Sequence, residues 1–153
     1  MITPDVSALR DQFHLPGMRV LQFAFDGHAD NPYLPPNYTQ NTVVYTGTHD
    51  NNTTRGWFSA IPEEQKRNLW AHLKRPPGKE DEVAWELICL AWSSVAQLAI
   101  APIQDLLNLG TEARMNIPGS SEGNWCWRCL DEMLSASAFT RLRELTLESN
   151  RCP

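Results

Sequence analysis

The sequence predicts an α/β fold in which short parallel strands alternate with helices. Three short apolar segments have the pattern of strands, at 18–25, 42–46 and 95–101, and helical patterns separate them. The first, MRVLQFAF, is largely apolar at both alternating sets of positions, which is typical of a parallel strand covered on both faces. Apolar residues make up 42% of the 153 residues and charged residues 20%, so a packed core is expected rather than disorder.

The first predicted helix runs from Thr3 to about Phe13. The segment Thr3-Pro4-Asp5 supplies a hydroxyl for the N-cap, a proline for the first helical position and an acid for the first turn. Pro16-Gly17 ends this unit before the first strand. Residues 26–41 are rich in Pro, Asn, Asp and Tyr, and they predict an irregular loop that leads to the second strand.

Three helices are predicted between the second and third strands, near 54–59, 62–73 and 80–94. The last of these has apolar residues at helical spacing and is the longest helical segment of the prediction. After the third strand, a brief helix is expected at 102–109, followed by an irregular loop over 111–124. A final helix is predicted over 137–149.

The composition argues against several classes of protein. The net charge is -5, and binding of nucleic-acid phosphates would favour a basic surface instead. No apolar run approaches the roughly 18 residues of a membrane-spanning helix. The first residues, MITPDV, lack the basic and apolar regions of a signal peptide. We therefore expect a soluble cytoplasmic protein that binds neither nucleic acid nor membrane.

Four cysteines raise the question of a metal or redox site. They are Cys89, Cys126, Cys129 and Cys152. Cys126 and Cys129 form a C-x-x-C pair, but a structural zinc site needs four ligands, commonly from a second pair. A redox pair would be expected between a strand and the start of a helix. Free reduced thiols are therefore favoured, and we expect neither a metal nor a cofactor.

The stretch YTGTHDNNTTRGW, residues 45–57, places polar residues directly after the second strand. In parallel βα folds, chemistry gathers at the C-terminal ends of the strands, while the strand interiors form the core. Asp50 lies at such a place, and His49 can put ring nitrogens beside its carboxylate. Neutral neighbours such as Thr48 and Asn51 suit a ligand that is rich in hydroxyl groups.

The same residues also have a purely structural interpretation. Runs of Asp, Asn and Thr are ordinary turn and helix-capping residues, and the local sequence alone favours that interpretation. Trp57, Trp125 and Trp127 have two interpretations as well, because a tryptophan near a loop either stacks on a sugar ring or fills a core.

Four longer segments resemble one family of enzymes. They are GMRVLQFAF, NPYLPPNY, NTVVYTGTHDNNTTRGWF and MNIPGSSEGNWCWR. In this order they closely resemble the amylomaltases, or 4-α-glucanotransferases, the disproportionating enzymes of the α-amylase clan of glycoside hydrolases. The resemblance covers nearly the whole chain. It favours a functional interpretation of His49 and Asp50 over turn chemistry alone.

The resemblance implies a (β/α)8 barrel that acts on α-1,4-glucans without a cofactor. Such enzymes break one α-1,4 bond, hold the donor segment covalently and pass it to the 4-hydroxyl of another glucan or glucose. They use an aspartate nucleophile after the fourth strand and a glutamate acid/base after the fifth. An aspartate after the seventh strand stabilises the transition state. It matches Asp50, and His49 beside it is expected to bind a sugar hydroxyl.

Other positions that match the family have less defined roles. Phe23 matches an aromatic residue near the active cleft, with a place in the core as the alternative. Asn124 matches a loop residue close to bound glucan, and it is a predicted substrate-binding residue. Residues 115–119 are expected to shape the loop after the eighth strand. Arg128 either binds substrate or braces that loop.

The chain is shorter than a complete (β/α)8 barrel, which takes about 250 residues. In the family, the acid/base glutamate stands a few residues before an Ile-Thr-Pro segment, and this chain begins at Met1-Ile2-Thr3-Pro4. We therefore expect strands six to eight of the barrel, with residues 1–153 as the C-terminal part of the catalytic domain. Without the nucleophile and the acid/base, the chain alone is expected to be inactive.

Three strands cannot close a barrel, and their free edges and apolar faces favour association. A missing N-terminal portion of the same enzyme is therefore an expected partner, besides the glucan substrate. Three other interpretations stay open. One is a non-catalytic glucan-binding module that uses its tryptophans as stacking platforms, and a second is one half of a split enzyme. The third is a truncated or misread reading frame.

Overall fold

A computed structural model describes residues 3–151 of the chain. Met1, Ile2, Cys152 and Pro153 lie outside the described residues, and the prediction of a reduced thiol at Cys152 falls there. Within residues 3–151, no helix combines the length and the apolar character that crossing a membrane would require.

Three parallel strands form one sheet in the order β1-β2-β3. They are β1 (Gly17–Val20), β2 (Thr42–Tyr45) and β3 (Leu98–Ile100). On the central strand, Val44 pairs with Arg19 of β1 and with Ala99 of β3. The α/β class with parallel strands, predicted from the alternation of elements, is confirmed.

Helices connect the strands and cover one face of the sheet. In residues 3–151 they are α1 (Pro4–Gln12), α2 (Thr54–Ala60), α3 (Glu63–Leu73), α4 (Val83–Trp92), α5 (Ile103–Leu106) and α6 (Ala136–Glu148). Short 3-10 turns lie at Leu21–Phe23, Pro35–Asn37, Thr111–Ala113 and Asp131–Met133.

Two predicted helix starts behave differently at the cap. Thr3 is the N-cap residue of α1, as predicted, but its hydroxyl makes no capping hydrogen bond. Thr53 caps α2, and its side chain accepts a hydrogen bond from the backbone N–H of Gly56. The second cap fixes the start of α2, which directly follows the segment with His49 and Asp50.

The first strand is shorter than the sequence predicts. Residues 18–25 have the pattern of a strand, whereas β1 ends at Val20 and a 3-10 turn follows. The segment after Val20 is apolar because Leu21 and Phe25 are fully buried in the core, not because it continues the sheet. A short apolar run does not distinguish a buried strand from a buried turn, so periodicity overestimates the strand.

Three later elements are also shorter than predicted. β3 has three residues of the predicted 95–101, and α5 has four of the predicted 102–109. α4 has 10 residues of the predicted 80–94. The longest helix in residues 3–151 is therefore α6, with 13 residues, rather than α4 as predicted. Turns and irregular backbone occupy the ends of the predicted segments.

The core lies between the sheet and α4. Val83, Leu87 and Ile88 of α4 are fully buried and belong to the same cluster as Val44 of β2. On the other face of the sheet, Val43 lies between Met18 and Leu98, which are 50% and 51% exposed. Helices therefore cover one face of the sheet rather than both, and part of the second face is open and apolar.

Polar contacts tie the end of the described chain to α4. Trp92 donates its indole N–H to the hydroxyl of Thr146 on α6 at 3.0 Å. The Arg151 guanidinium donates to the carbonyl oxygens of Trp92 and Ser94, at 2.6 and 2.7 Å. Carbonyls at the end of a helix have no partner within it, and a cation suits the negative end of the helix dipole.

Replacing Arg151 with alanine should destabilise the fold. The change removes charge-assisted hydrogen bonds to partly buried carbonyls, which are worth about 1.5–3 kcal/mol of the free energy of unfolding. Urea unfolding followed by tryptophan fluorescence measures this loss. Arg143→Ala, at an exposed position of α6, is the control and should change that free energy by less than about 0.5 kcal/mol. Similar losses in both variants would contradict the prediction.

Candidate active site

A tight turn directly after β2 presents His49 and Asp50. Asn51 builds the turn, because its side-chain oxygen accepts from the backbone N–H of Thr48 at 3.0 Å and from the Thr48 hydroxyl at 2.8 Å. The side chains of His49 and Asp50 are left outside, with 56% and 51% of their surface exposed. Turn chemistry and an outward-facing carboxylate therefore coexist, and the two interpretations of this stretch do not exclude each other.

The Asp50 carboxylate has two polar neighbours, and both lie at the same oxygen. Asn116 donates its side-chain N–H to Oδ1 at 2.6 Å, and Nε2 of His49 lies 3.4 Å from Oδ1. Within residues 3–151, Oδ2 makes no hydrogen bond, and about half of the side chain is exposed. One carboxylate oxygen is thus oriented by the protein, while the other is available to a ligand.

The segment after β3 also holds the backbone of the turn. Arg114 donates to the Asp50 carbonyl oxygen at 2.8 Å, and the backbone N–H of Asn116 donates to the His49 carbonyl at 3.1 Å. Arg114 also donates to the carbonyl of Asn116 at 2.8 Å. The sequence predicts only a loop-shaping role for residues 115–119, and it misses the direct contact between Asn116 and Asp50.

Trp125, at the far end of the loop that contains Asn116, packs against the ring of His49. The two ring centroids are 5.1 Å apart, and the indole is exposed. The backbone of Trp125 has φ 60°, in the left-handed region that is costly for a large side chain. A backbone hydrogen bond from Trp125 to Met115, at 2.7 Å, helps to hold it there. Of the three tryptophans with open interpretations, this one lies against the candidate site.

Gly47 lets the loop approach the 3-10 turn that follows β1. Gln22 is buried and donates its side-chain N–H to the Asn52 carbonyl at 2.9 Å. A Cβ atom on residue 47 would lie 2.6 Å from Nε2 of Gln22, so the Gln22 amide would have to move from its present position. The absence of a side chain at Gly47 therefore permits the hydrogen bond that holds the second half of the loop.

Asn124 uses its side-chain amide within its own loop. It accepts from the backbone N–H of Ile117 at 2.8 Å and donates to the Ser120 carbonyl at 2.9 Å. Arg128 donates to the carbonyls of Trp125 and Trp127, at 2.7 and 2.8 Å. Both side chains brace this loop in the structure. Substrate binding by Asn124 stays a prediction, and these contacts favour the bracing alternative for Arg128.

Phe23 lies at the same edge of the sheet but outside the core. It is 50% exposed and makes an edge-on contact with Tyr33, with ring centroids 5.4 Å apart. Its position after β1 places it near the end of the sheet that bears the turn after β2. The core alternative is thus disfavoured, and the prediction of a role in binding is left to experiment.

Asp105 of α5 is a buried charged residue that contacts both ends of the loop after β2, and the sequence prediction misses it. Its side chain, 2% exposed, accepts hydrogen bonds from Thr46 and Thr54, the residues that bracket the turn. Burial raises the pKa of the Asp105 carboxyl, and the hydrogen bonds from Thr46 and Thr54 oppose that shift. No local motif marks this residue, because its partners are more than 50 residues away in sequence.

A cavity of about 210 Å³ opens beside His49, between the turn after β2 and the segment after β3. Thr48, Gln104 and Met115 are among its lining residues. The volume is several times the roughly 30 Å³ that one water occupies in the liquid. The candidate site therefore has a concave side next to His49, in addition to the exposed carboxylate.

The cysteines of the described residues are free thiols and do not form a metal-binding cluster. Cys126 and Cys129 are exposed free thiols near Trp125, and Cys89 is half-buried on α4. Across the described part of the chain, no three His, Cys, Asp or Glu side chains are grouped so that they could hold a metal ion.

Comparisons with known proteins converge on one kind of enzyme. A family model described as 4-alpha-glucanotransferase matches residues 1–133. The 4-alpha-glucanotransferase of Thermus thermophilus is 52% identical over 159 residues, which cover 99% of this chain and 31% of that enzyme. The chloroplastic/amyloplastic 4-alpha-glucanotransferase of Solanum tuberosum is 53% identical over 128 residues, which cover 84% of this chain and 22% of that enzyme. The chain thus spans less than a third of the length of these relatives.

Solved structures give the same match. The amylomaltase from Streptococcus agalactiae, in complex with acarbose, superposes with a TM-score of 0.92 and 33% sequence identity. That match covers 98% of this chain and 30% of the solved one. The amylomaltase from Corynebacterium glutamicum, at 17% identity and a TM-score of 0.65, supports the fold alone.

Replacing Asn124 with alanine should loosen the loop over 117–124. The variant loses the hydrogen bonds from residue 124 to Ile117 and Ser120. Glu122, between Ser120 and residue 124, therefore becomes easier for a glutamate-specific protease to reach. We expect cleavage at Glu122 to become faster by about tenfold, as measured by mass spectrometry over time. Ser121→Ala, at an exposed position of the same loop, is the matched control. Equal cleavage rates for the two variants would show that Asn124 is not a brace.

Proposed function

This chain belongs to the 4-alpha-glucanotransferase family, and we propose that it supplies the transition-state-stabilising carboxylate, Asp50, of such an enzyme. The reaction transfers a segment of an α-1,4-glucan to the 4-hydroxyl of an acceptor glucan or glucose. The observation that most supports this role is the exposed Asp50 carboxylate after β2, oriented through one oxygen by Asn116 and open at the other.

The chemistry of the reaction suits that geometry. Retaining enzymes of this kind pass through an oxocarbenium-like transition state, in which positive charge builds on the sugar ring. An ionised Asp50 can stabilise that charge and accept hydrogen bonds from ring hydroxyls through Oδ2. His49 can donate a hydrogen bond to a neighbouring sugar hydroxyl. The indole of Trp125 packs against the His49 imidazole and helps to orient it. Groups that act mainly in the transition state raise kcat rather than lower KM.

The proposal places residues 1–153 in the C-terminal part of a (β/α)8 catalytic domain, as strands six to eight. Support comes from the three parallel strands and from the partly open sheet face with Met18 and Leu98. In a closed barrel, that face would turn inward and meet side chains of the other strands. The strand numbers themselves rest on the family resemblance.

Two further carboxylates are needed for a complete reaction, a nucleophile and an acid/base. The proposed partner therefore contains the rest of the barrel, either in the same polypeptide or as a separate chain of a split enzyme. The proposed substrates are maltooligosaccharides and amylose, and the proposal includes no metal or cofactor. A cytoplasmic location stays a prediction, because the relatives include a chloroplastic/amyloplastic enzyme.

The alternative of a non-catalytic glucan-binding module has weaker support. It relies on Trp57, Trp125 and Trp127 as stacking platforms. Trp57 packs against the hydrophobic core and Trp127 is half-buried, so Trp125 is the exposed one of the three. A single exposed indole that contacts His49 fits a place in an active site better than a row of platforms.

The purified 153-residue chain should release no glucose from maltotriose. The family resemblance assigns the nucleophile and the acid/base to strands four and five, which residues 1–153 do not match. A coupled assay for glucose measures the reaction, with the Thermus thermophilus relative as the positive control. Glucose release above the background of a heat-treated sample would overturn this expectation.

Asp50→Asn should lower kcat by at least about 100-fold in a completed enzyme whose remaining length comes from the Thermus thermophilus relative. The amide keeps the size of the side chain but removes the negative charge, so KM should change much less than kcat. Asp81→Asn, at an exposed position before α4, is the control and should leave both constants unchanged. A near-normal kcat in a folded Asp50→Asn enzyme would rule out the role proposed for Asp50.

A further inference from the structure

We propose that Asp105 is a positioning residue, which fixes the loop bearing His49 and Asp50 by binding both ends of that loop at once. The inference rests on the role proposed above for Asp50. It concerns a buried side chain whose hydrogen bonds go to Thr46 and Thr54 rather than to Asp50, so its action is on geometry alone.

The two oxygens of Asp105 meet donors at both ends of the loop. Oδ2 accepts from the hydroxyl of Thr46, directly after β2, at 2.6 Å, and from the hydroxyl of Thr54, in the first turn of α2, at 2.7 Å. Oδ1 accepts from the backbone N–H of Thr54 at 2.7 Å. One carboxylate thereby sets the distance between Thr46 and Thr54, the two ends of the loop formed by residues 47–53.

Burial makes these hydrogen bonds hard to replace. Asp105 is 2% exposed, and both threonines are 0% exposed, so no bulk water can substitute for a lost partner. Within residues 3–151, no lysine, arginine or histidine is bonded to the carboxylate. Its three donors are hydroxyl and amide groups, which fix direction more strictly than a mobile cation would.

The neighbouring residue on α5 extends the same support to the second half of the site. Gln104 is buried and donates its side-chain N–H to the Ala113 carbonyl at 3.2 Å. Ala113 precedes Arg114, which binds the Asp50 carbonyl, and Asn116, which binds the Asp50 carboxylate. Adjacent side chains of one helix thus anchor both segments that converge on Asp50.

A carboxylate is a costly choice for a role in stability alone. Taking its charge out of water is unfavourable, and no cation within residues 3–151 offsets that cost. What a carboxylate offers here is simultaneous acceptance from three donors with fixed directions, which no apolar residue and no single amide oxygen supplies. The geometry therefore points to a requirement for loop position rather than for folding energy.

The expected consequence is a large effect on catalysis with a small effect on substrate binding. A misplacement of about 1 Å in a catalytic group costs up to about 100-fold in rate. Freeing one end of the loop would let Asp50 move relative to the sugar ring by such an amount. Binding of glucan along the rest of the cleft would continue.

The first experiment measures hydrogen exchange in the 153-residue chain. Asp105→Asn keeps the volume but loses one acceptor oxygen, and Thr46→Val and Thr54→Val each remove one donor hydroxyl. We expect amide exchange over residues 47–53 to accelerate by at least about tenfold in each variant, with exchange in α4 unchanged. Thr42→Val is the matched control, since Thr42 is equally buried at the opposite end of β2.

The second experiment measures kinetics in the completed enzyme described above. Asp105→Asn and Thr46→Val should lower kcat by about 10- to 100-fold while KM changes by less than about threefold. Thr46→Ser restores the donor and should restore kcat. Thr42→Val should keep the kcat of the parent enzyme. A residue that acts only on folding would lower the folded fraction and leave kcat per folded molecule unchanged.

The outcomes separate this inference from the role of Asp50. An inactive parent enzyme, or normal kcat in Asp50→Asn, defeats the proposed function, and loop exchange in the 153-residue chain then decides the anchoring claim. If the parent is active and Asp50→Asn is impaired, normal kcat and unchanged loop exchange in Asp105→Asn overturn the positioning role. Exchange that accelerates equally in the loop and in α4 also overturns it, because Asp105 would then support the fold as a whole.

Discussion

Parallel pairing of β1, β2 and β3 brings the segments that follow all three strands to one edge of the sheet. Phe23 comes from the first of these segments, His49 and Asp50 from the second, and Asn116 from the third. Because the strands run in the same direction, their C-terminal ends lie side by side, and residues more than 60 positions apart in sequence come into contact there. The candidate site depends on this arrangement before it depends on any single side chain.

The loop after β2 shows how structural and chemical roles share a short sequence. Thr48 and Asn51 satisfy the backbone of the turn, Gly47 admits Gln22, and Thr53 caps α2. Asn52 accepts from the backbone N–H of Thr53 and donates to the hydroxyl of Thr111. The side chains of His49 and Asp50 make no such contacts within the loop and face outward. A stretch with the composition of an ordinary turn can therefore present reactive groups, because some of its polar residues form the turn while others face solvent.

The sequence predicts the parts of the site that depend on local pattern. The apolar run before Asp50 and the alternation of strands with helices place its carboxylate correctly at a strand end. The contacts of Asp105 and Asn116 are missed, because their partners lie 51 to 66 residues away. Asn116 stands in the segment MNIPGSSEGNWCWR, but that segment does not reveal its contact with Asp50. Asn124 illustrates the opposite limit: family resemblance suggests contact with glucan, and only coordinates reveal that its amide is used by backbone groups of its own loop. The length of β1 is misjudged because buried turns and buried strands have the same composition.

The contact between Arg151 and the end of α4 has a bearing on the timing of synthesis. Arg151 is separated from Trp92 by 59 residues. At about 5–20 residues per second, a ribosome needs about 3 to 12 s to add them. During that interval the carbonyls at the end of α4 have been synthesised but Arg151 has not. Water is therefore their available hydrogen-bond partner at that stage.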